Sequence, residues 1–478
     1  MSAWSPDKTW REECGVFAAV GVAHAAEVVS LGLHALQHRG QESTGIVACD
    51  EAGEFRSHKG LGLVSDVYRD ADLLRLEGSI AIGHNRYSTS GSVTLENTQP
   101  LRMVYRGGPL ALAHNSNLVN AHDVRQALEQ SGSIFQTTLD TEIFPHLMAV
   151  SSADNAEDAL IEAARQVRGA YSLVVLVPGA VLVLRDPHGF RPLALGRLGD
   201  GYVVASETCA LDIVAAEFVR EIEPGELLRI DPHGLRSRRA HEPERPLRQC
   251  IFEHIYFSRP DSRVFGETVD RVRRRIGRRL AEEHPVEADV VLAVPDSSNS
   301  IALGYSEASG IRYELGLIRN HYVGRTFIQP HQAGRDSSVR IKFNPVREIL
   351  DGRRVVLVDD SIVRGTTSRK LVRMLRRNGA TEVHFRIGSP PVTHPCFYGI
   401  DTPSRRELIG ALKTPEEIRE FLGADSIGYL SLEGLLACER DGSQFCNACF
   451  SGRYPVAVDP GASKLQIENL HRASGTPG

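Results

Sequence analysis

At 478 residues the chain is too long to fold around one core, and two or three domains are expected. Hydrophobic residues make up 42% and charged residues 24%, the balance of a soluble globular protein rather than a disordered one. A net charge of −5 and a pI near 6.4 give no electrostatic basis for binding nucleic acid or an anionic membrane, and no apolar stretch is long enough to span a bilayer.

Residues 1–13 carry Trp, Pro and several charges without an apolar run, so they do not form a secretory signal, and a cytoplasmic location is expected. The eight cysteines are then read as metal ligands or nucleophiles before disulfides. Apolar runs at 14–20, 80–83 and 171–177 make the first half strand-rich. Between the first two, Val29, Leu33 and Leu36 fall on one face and predict a helix over 25–37, with Gly40 just past its end. The charged, Pro-punctuated stretch His241-Glu242-Pro243-Glu244-Arg245-Pro246 marks a domain boundary. Beyond it, strands at 290–294, 355–358 and 383–387 alternate with helical spacing, the pattern of a doubly wound parallel sheet. The composition of 473–478 is that of a disordered tail.

Cys14 opens the first strand, and a strand cysteine is commonly an inert buried thiol. Its context says more. Glu12-Glu13-Cys14-Gly15-Val16-Phe17 is followed by His38-Arg39-Gly40-Gln41-Glu42-Ser43, Gly83-His84-Asn85-Arg86-Tyr87-Ser88-Thr89 and His114-Asn115-Ser116-Asn117. In this order they resemble the glutamine amidotransferase domain of the N-terminal-nucleophile (Ntn) hydrolases, whose fold is an αββα sandwich. The resemblance implies that Cys14 attacks the glutamine amide after cleavage of the Glu13–Cys14 bond, which removes a propeptide at 1–13. The freed α-amine, with a reference pKa of about 8, can relay the thiol proton, whereas the uncleaved amide cannot. The same resemblance implies that Arg86 pairs with the glutamine carboxylate and Asp140 with its α-ammonium. It also implies that Arg39 and Gly40 line the pocket and that Asn115 stabilises the oxyanion. The chain departs from the pattern at Ser116, where the family has Gly and uses its N–H as an oxyanion donor, and at Leu139, where a polar residue is usual. A Cβ at position 116 costs on the order of 1 kcal/mol if the backbone there needs positive φ, and glutamine turnover is then expected to weaken while ammonia-dependent activity survives.

The second half carries the run Val355-Val356-Leu357-Val358-Asp359-Asp360-Ser361-Ile362-Val363-Arg364-Gly365-Thr366-Thr367-Ser368. A strand buried on both faces ends in paired carboxylates at a sheet edge, where open α/β sheets bind ligands. Helical spacing resumes at 369–377 with Leu371, Met374 and Leu375, and Gly379 stands at its end. Hydroxyls and N–H groups at that helix start suit an anion, and the paired acids suit sugar hydroxyls or a hard cation. A P-loop is excluded, since no G-x-x-x-x-G-K-[ST] pattern occurs. The run resembles the phosphoribosyl pyrophosphate (PRPP) motif of type I phosphoribosyltransferases. That resemblance implies a PRPP site in which Asp359 and Asp360 contact ribose hydroxyls and Ser361, Arg364, Gly365, Thr366, Thr367 and Ser368 surround the 5-phosphate. It makes Pro295-Asp296-Ser297-Ser298-Asn299-Ser300 the pyrophosphate loop, with Ser297, Asp359 and Asp360 around Mg²⁺. The cationic stretch from Arg319 to Pro330, followed by Gly334, Arg335, Arg340 and Lys342, matches a lid over the polyanion, with Arg325 and Lys342 as PRPP contacts.

Cys250, Cys396, Cys446 and Cys449 complete the set. Cys446-Asn447-Ala448-Cys449 has chelating spacing, but spacing leaves zinc and an iron–sulfur cluster both open. The surrounding sequences Gln249-Cys250-Ile251-Phe252-Glu253-His254, Pro395-Cys396-Phe397-Tyr398-Gly399-Ile400-Asp401 and Phe445-Cys446-Asn447-Ala448-Cys449-Phe450 resemble the cluster-bearing branch of the amidophosphoribosyltransferases, which implies a structural 4Fe–4S cluster. Cys49, Cys209 and Cys438 are expected to be structural. The order of motifs implies a propeptide at 1–13, an amidotransferase domain at 14–240, a phosphoribosyltransferase domain at 250–458 and a tail at 459–478. The activity that this family resemblance implies is conversion of glutamine, water and PRPP to 5-phosphoribosylamine, glutamate and pyrophosphate, at the entry to purine synthesis. It further implies a homo-oligomer, commonly a tetramer, with purine nucleotide feedback. Two rivals are an amidotransferase feeding another sugar phosphate and a PRPP-binding regulator; the motif at 359–368 speaks against the first and the glutamine pocket against the second.

Overall fold

The computed structural model describes residues 14–87, 94–320, 342–402 and 404–458. The expected propeptide, the tail and most of the expected lid, Arg325 included, lie outside the described residues.

Two antiparallel sheets face each other in the first half. One runs Glu217–Glu221, Ala194–Leu198, Gly201–Ala205, Gly15–Val20, Ile80–Arg86, Ser43–Cys49, Phe55–Leu61; the other runs Gly234–Arg239, Glu226–Asp231, Ala180–Arg185, Ser172–Val177, Gly108–Asn115, Leu101–Tyr105. Alternation along the strands decides the layering. Val16, Ala18, Ile80, Ile82, Ala111, Ala113, Val174 and Val183 meet between the sheets. The alternate residues Phe17, Ala19, Ile46 and Ala81 pack outward on the helix Ala25–Ala35. Leu110, Leu112, Leu173 and Leu182 do the same on the other side, against the helices Ile143–Val150 and Ala156–Ala164. The result is an αββα sandwich. The first helix ends two residues before the expected 37, because a tight turn in which Arg39 N–H donates to the Leu36 carbonyl (2.9 Å) carries Arg39 back towards Cys14.

The second half is built on four parallel strands in the order Val290–Ala293, Arg354–Asp359, Glu382–Ile387, Ser426–Tyr429. Val291, Ala293, Val356 and Val358 pack on the helices Val269–Glu283 and Asn299–Ser309, while Val290, Leu292, Val355 and Leu357 pack on Thr366–Arg377 and Pro415–Leu422. Helices on both faces of a parallel sheet make it doubly wound, as the sequence pattern predicts. None of the described helices is long and apolar enough to cross a membrane.

The helices Val269–Glu283 and Asn299–Ser309 cross at two glycines. A Cβ on Gly277 would collide with the Ile301 carbonyl oxygen, and one on Gly304 with the Arg274 carbonyl oxygen. Both obstacles are backbone and cannot swing away. Gly277→Ala is therefore expected to cost about 1–3 kcal/mol by overpacking, read as a lower melting temperature in calorimetry; an unchanged melt would show that the crossing has slack.

Candidate functional site

Strand parity gathers the expected glutamine-site residues at one end of the sandwich. Val16, Ala18 and Val20 face the space between the sheets, so Cys14, one step earlier in the same alternation, takes the same side. Continuing Ile80 and Ile82 through His84 places Arg86 there too, and Ala111 and Ala113 lead to Asn115. Gly15 pairs with Asn85, and His84 Nε2 bonds the His114 carbonyl (3.1 Å), so these strand ends coincide. Burial drives the His84 pKa down to about 3, which keeps that imidazole neutral and structural. Cys14 is 8% exposed and its thiol donates to the Tyr87 carbonyl (3.4 Å). Asn115 is fully buried, yet among the described residues both atoms of its side-chain amide lack a hydrogen-bond partner. A buried amide left unpaired is costly, so Asn115 keeps bonding capacity that a ligand or a water can use. Asp140, in a short turn of helix at Asp140–Glu142, accepts from Leu118 N–H (2.9 Å). Gly40 lies against the Asn85–Arg86 backbone, where a Cβ would come within 2.7 Å of Asn85.

Ser116 has φ +121°, in the region that L side chains rarely adopt. Its hydroxyl donates to the Tyr398 carbonyl (2.6 Å) and accepts from Arg191 Nε (3.2 Å). Arg39 is buried, with Nε on the Cys14 carbonyl (3.3 Å) and its terminal nitrogens on Glu207 and Glu253. Burial alone would raise the Glu207 pKa, but His38 and Arg39 beside it hold its carboxyl well below the usual range.

At the edge of the parallel sheet, the two expected phosphoribosyl loops meet. Ser297 Oγ donates to Asp360 Oδ2 and Ser298 Oγ to Asp359 Oδ1 (3.2 Å), while Ser361 Oγ donates to Asp360 Oδ1 (2.6 Å). Gly365 takes φ +72°, which turns the chain so that the helix starts at Thr366, a turn earlier than the spacing suggests, with Thr366, Thr367 and Ser368 in its first turn. Arg364 pairs with Glu407 (2.8 Å). The strands Leu317–Arg319 and Phe343–Pro345 pair antiparallel at the two ends of 321–341, with Lys342 exposed beside them. Burial raises the Asp359 pKa well above its ordinary value and the Asp360 charge adds to the rise; Asp360 is raised by burial against its serine bonds and the nearby Arg273.

The four expected cysteine ligands line one cavity, together with Phe190, Arg191, Tyr398 and Tyr454. Gln249–Cys250 pairs in parallel with Phe445–Cys446, which sets Cys250 opposite Cys446. Among the described residues, no three His, Cys, Asp or Glu side chains are gathered so as to hold a single metal ion.

A model of the glutamine amidotransferase domain matches residues 84–212. An amidophosphoribosyltransferase of Bacillus subtilis (strain 168) is 51% identical over 458 residues, 94% of this chain and 96% of its own. The chain belongs to the amidophosphoribosyltransferase family. Another relative of that name, from Mycobacterium leprae, is 49% identical and covers 96% of this chain and 85% of its own. A solved structure described as glutamine phosphoribosylpyrophosphate amidotransferase from B. subtilis complexed with ADP and GMP superposes with a TM-score of 0.90 at 49% identity, over 95% of this chain and 100% of that one. A second, described as the allosteric regulatory enzyme of purine biosynthesis, gives 0.91 at 49% identity, over 95% and 99%. The amidophosphoribosyltransferase fold, an Ntn sandwich joined to a type I phosphoribosyltransferase sheet, is thus the fold of this chain. Sequence reasoning missed Arg191, Glu207, Glu253 and Arg273, all buried. The available signal was a charge inside an apolar stretch, as in Phe252-Glu253-His254-Ile255.

The raised pKa of Asp359 has a sign that can be checked. A carboxyl whose folded pKa lies above its unfolded value of about 3.9 stabilises the fold below that value, and the contribution is lost as pH rises through the folded pKa. Without magnesium, Asp359→Asn is expected to melt higher than the unsubstituted chain at about pH 7.5 and alike at about pH 4. A lower melt at the higher pH counts against a carboxyl raised by burial and by the Asp360 charge.

Proposed function

We propose that this chain carries out the amidophosphoribosyltransferase reaction, moving the amide nitrogen of glutamine to PRPP with release of glutamate and pyrophosphate, as the first step of purine synthesis. The observation that carries the reading is the unpaired, buried amide of Asn115 at the strand ends that also present Cys14 and Arg86. The Cys14 thiolate attacks the glutamine amide carbon, and the carbonyl oxygen takes the negative charge. The Asn115 amide and the Ser116 N–H bind that oxygen, while Arg86 holds the carboxylate and Asp140 the α-ammonium of glutamine. The C–N bond breaks, ammonia leaves with the proton taken from sulfur, and water frees glutamate from the thioester. The base is the α-amine of Cys14 after loss of 1–13, so Glu13–Cys14 cleavage belongs to the proposal.

In the second half, Asp359 and Asp360 orient the ribose hydroxyls and the Gly365–Ser368 turn holds the 5-phosphate, aided by the start of the twelve-residue helix Thr366–Arg377. Ammonia attacks ribose C1 as pyrophosphate departs, and Arg325 and Lys342 are assigned to the closing segment that keeps water out. Ser297, Asp359 and Asp360 would hold Mg²⁺, whose charge offsets that of the departing pyrophosphate; two adjacent carboxylates met by the Ser297 and Ser298 hydroxyls make an oxygen donor set that fits a hard cation. Cys250, Cys396, Cys446 and Cys449 would hold a structural 4Fe–4S cluster, and the reading is supported by four thiols lining one cavity, the donor set such a cluster takes. The proposal includes the domain division 1–13, 14–240, 250–458 and 459–478, a cytoplasmic homotetramer and purine nucleotide feedback; the last is supported by the B. subtilis relative described in complex with ADP and GMP.

A second reading, in which glutamine turnover is weakened and ammonia is the main nitrogen source, is favoured by the φ of +121° at Ser116. Pyrophosphate release with PRPP, Mg²⁺ and either glutamine or ammonia separates the two. Cys14→Ser is expected to abolish glutamine-dependent release and to keep the ammonia-dependent rate; loss of both rates would refute the assignment. Asn115→Ala should lower the glutamine rate roughly 10²–10³-fold. Ser116→Gly without a gain in glutamine turnover removes the second reading. Iron and acid-labile sulfide in purified protein, lost in Cys446→Ser, check the cluster; zinc in their place would overturn it.

A further inference from the structure

A buried chain of charges runs between the two backbone positions that frame the glutamine site. Arg39 holds the Cys14 carbonyl through Nε (3.3 Å), and its terminal nitrogens grip the Glu253 carboxylate at 3.0 and 2.8 Å. Arg191 Nη1 reaches the same carboxylate (3.4 Å), Nε donates to Ser116 Oγ (3.2 Å) and Nη2 to the Tyr398 carbonyl (2.8 Å). Ser116 Oγ closes the chain by donating to that carbonyl (2.6 Å), and Ser258 Oγ donates to Glu253 Oε2 (2.6 Å), the oxygen that Arg39 Nη1 also bonds. Arg39, Arg191 and Glu253 are each at most 1% exposed.

The two anchors come from outside the sandwich. Glu253 lies three residues after Cys250, and Tyr398 two after Cys396. Both cysteines line the four-thiol cavity, as do Arg191 and Tyr398 themselves. Phe190 stacks on Tyr398 with ring centroids 4.5 Å apart, and Cys250 N–H donates to the Phe190 carbonyl (3.0 Å). Room for the Ser116 side chain comes from Gly399, where a Cβ would sit 2.5 Å from Ser116 Oγ. A glycine at 116 could make neither hydroxyl bond, so this chain has a tie there that glycine would lack.

We propose that Glu253 and Arg191 are positioning residues of the glutamine site, and that with the Ser116 hydroxyl they set the backbone at Cys14 and Ser116 from the cysteine-bearing segments. The nucleophile and the oxyanion donor are thereby held in register by 250–258 and 396–400. Oxyanion donors and nucleophiles tolerate little displacement, and an error near 1 Å can cost about 10²-fold in rate. Neither Glu253 nor Arg191 touches the reacting atoms; each acts through Arg39 or Ser116.

This rests on Cys14 being the glutamine nucleophile. The test uses the full-length enzyme, with three readouts: glutamine hydrolysis, ammonia-dependent pyrophosphate release, and the rate at which a chloroketone analogue of glutamine alkylates Cys14. Glu253→Gln is expected to lower kcat for glutamine and the alkylation rate about tenfold or more, leaving KM for glutamine and the ammonia rate within about twofold. Equal losses in the glutamine and ammonia rates would show a merely structural role and overturn the proposal. Arg191→Met and Ser116→Ala should each slow alkylation, and the double variant no more than the worse single one, because the two groups act as one unit; additive losses overturn it as well. Should Glu253→Gln give no soluble protein, this cycle decides alone. Failure of the underlying reading looks different: the unsubstituted enzyme would not be alkylated at Cys14 at all.

Discussion

One carboxylate shared by two guanidiniums holds the architecture to its chemistry. Glu253 belongs to the second half of the chain, yet Arg39 and Arg191 from the first half both spend their charge on it, and Glu207 completes a set of two cations and two anions away from solvent. Such a group adds little net stability over a well-packed apolar one, but removing any member strands a charge where water cannot reach it. Its worth is therefore positional. Apolar surfaces would allow the halves to slide; a bidentate fork on a fixed carboxylate admits one arrangement.

Both sites are assembled by the same economy of strand ends. In the sandwich, the period-two alternation that builds the inter-sheet core delivers, at one end of its strands, Cys14, Arg86 or Asn115 instead of a valine. In the parallel sheet the run Val355–Val358 ends in Asp359 and Asp360, and Ser297 and Ser298 arrive from the neighbouring strand Val290–Ala293 to receive them. Core packing and site geometry are one constraint, so a register slip would dismantle both.

Much of this was legible from sequence, for identifiable reasons. Alternation and buried runs are local signals, and they located the strands around Cys14, Asp359 and the parallel sheet. Motif order then grouped Cys14, Arg86, Asn115 and Asp140 as one expected site, and strand parity brings Cys14, Arg86 and Asn115 to one end of the sandwich. The boundary of the helix at Thr366 was misjudged because a glycine in the left-handed region, which decides where the helix can begin, leaves no mark in apolar spacing. Arg191, Glu207 and Glu253 escaped because a buried ion pair between residues 62 positions apart, as Arg191 and Glu253 are, has no periodicity at all. At Ser116 the sequence showed an odd residue; only the structure shows the hydroxyl engaged by Tyr398 and Arg191.

The pairing of Gln249–Cys250 with Phe445–Cys446 joins positions almost two hundred residues apart along the chain. During synthesis the sandwich can emerge and pack long before the partner of Cys250 leaves the ribosome. Its Arg39 and Arg191 meet Glu253 and Tyr398 only once those downstream segments are in place. Contacts of such long sequence separation repay their closure entropy late in folding, so the backbones at Cys14 and Ser116 gain their outer support late as well.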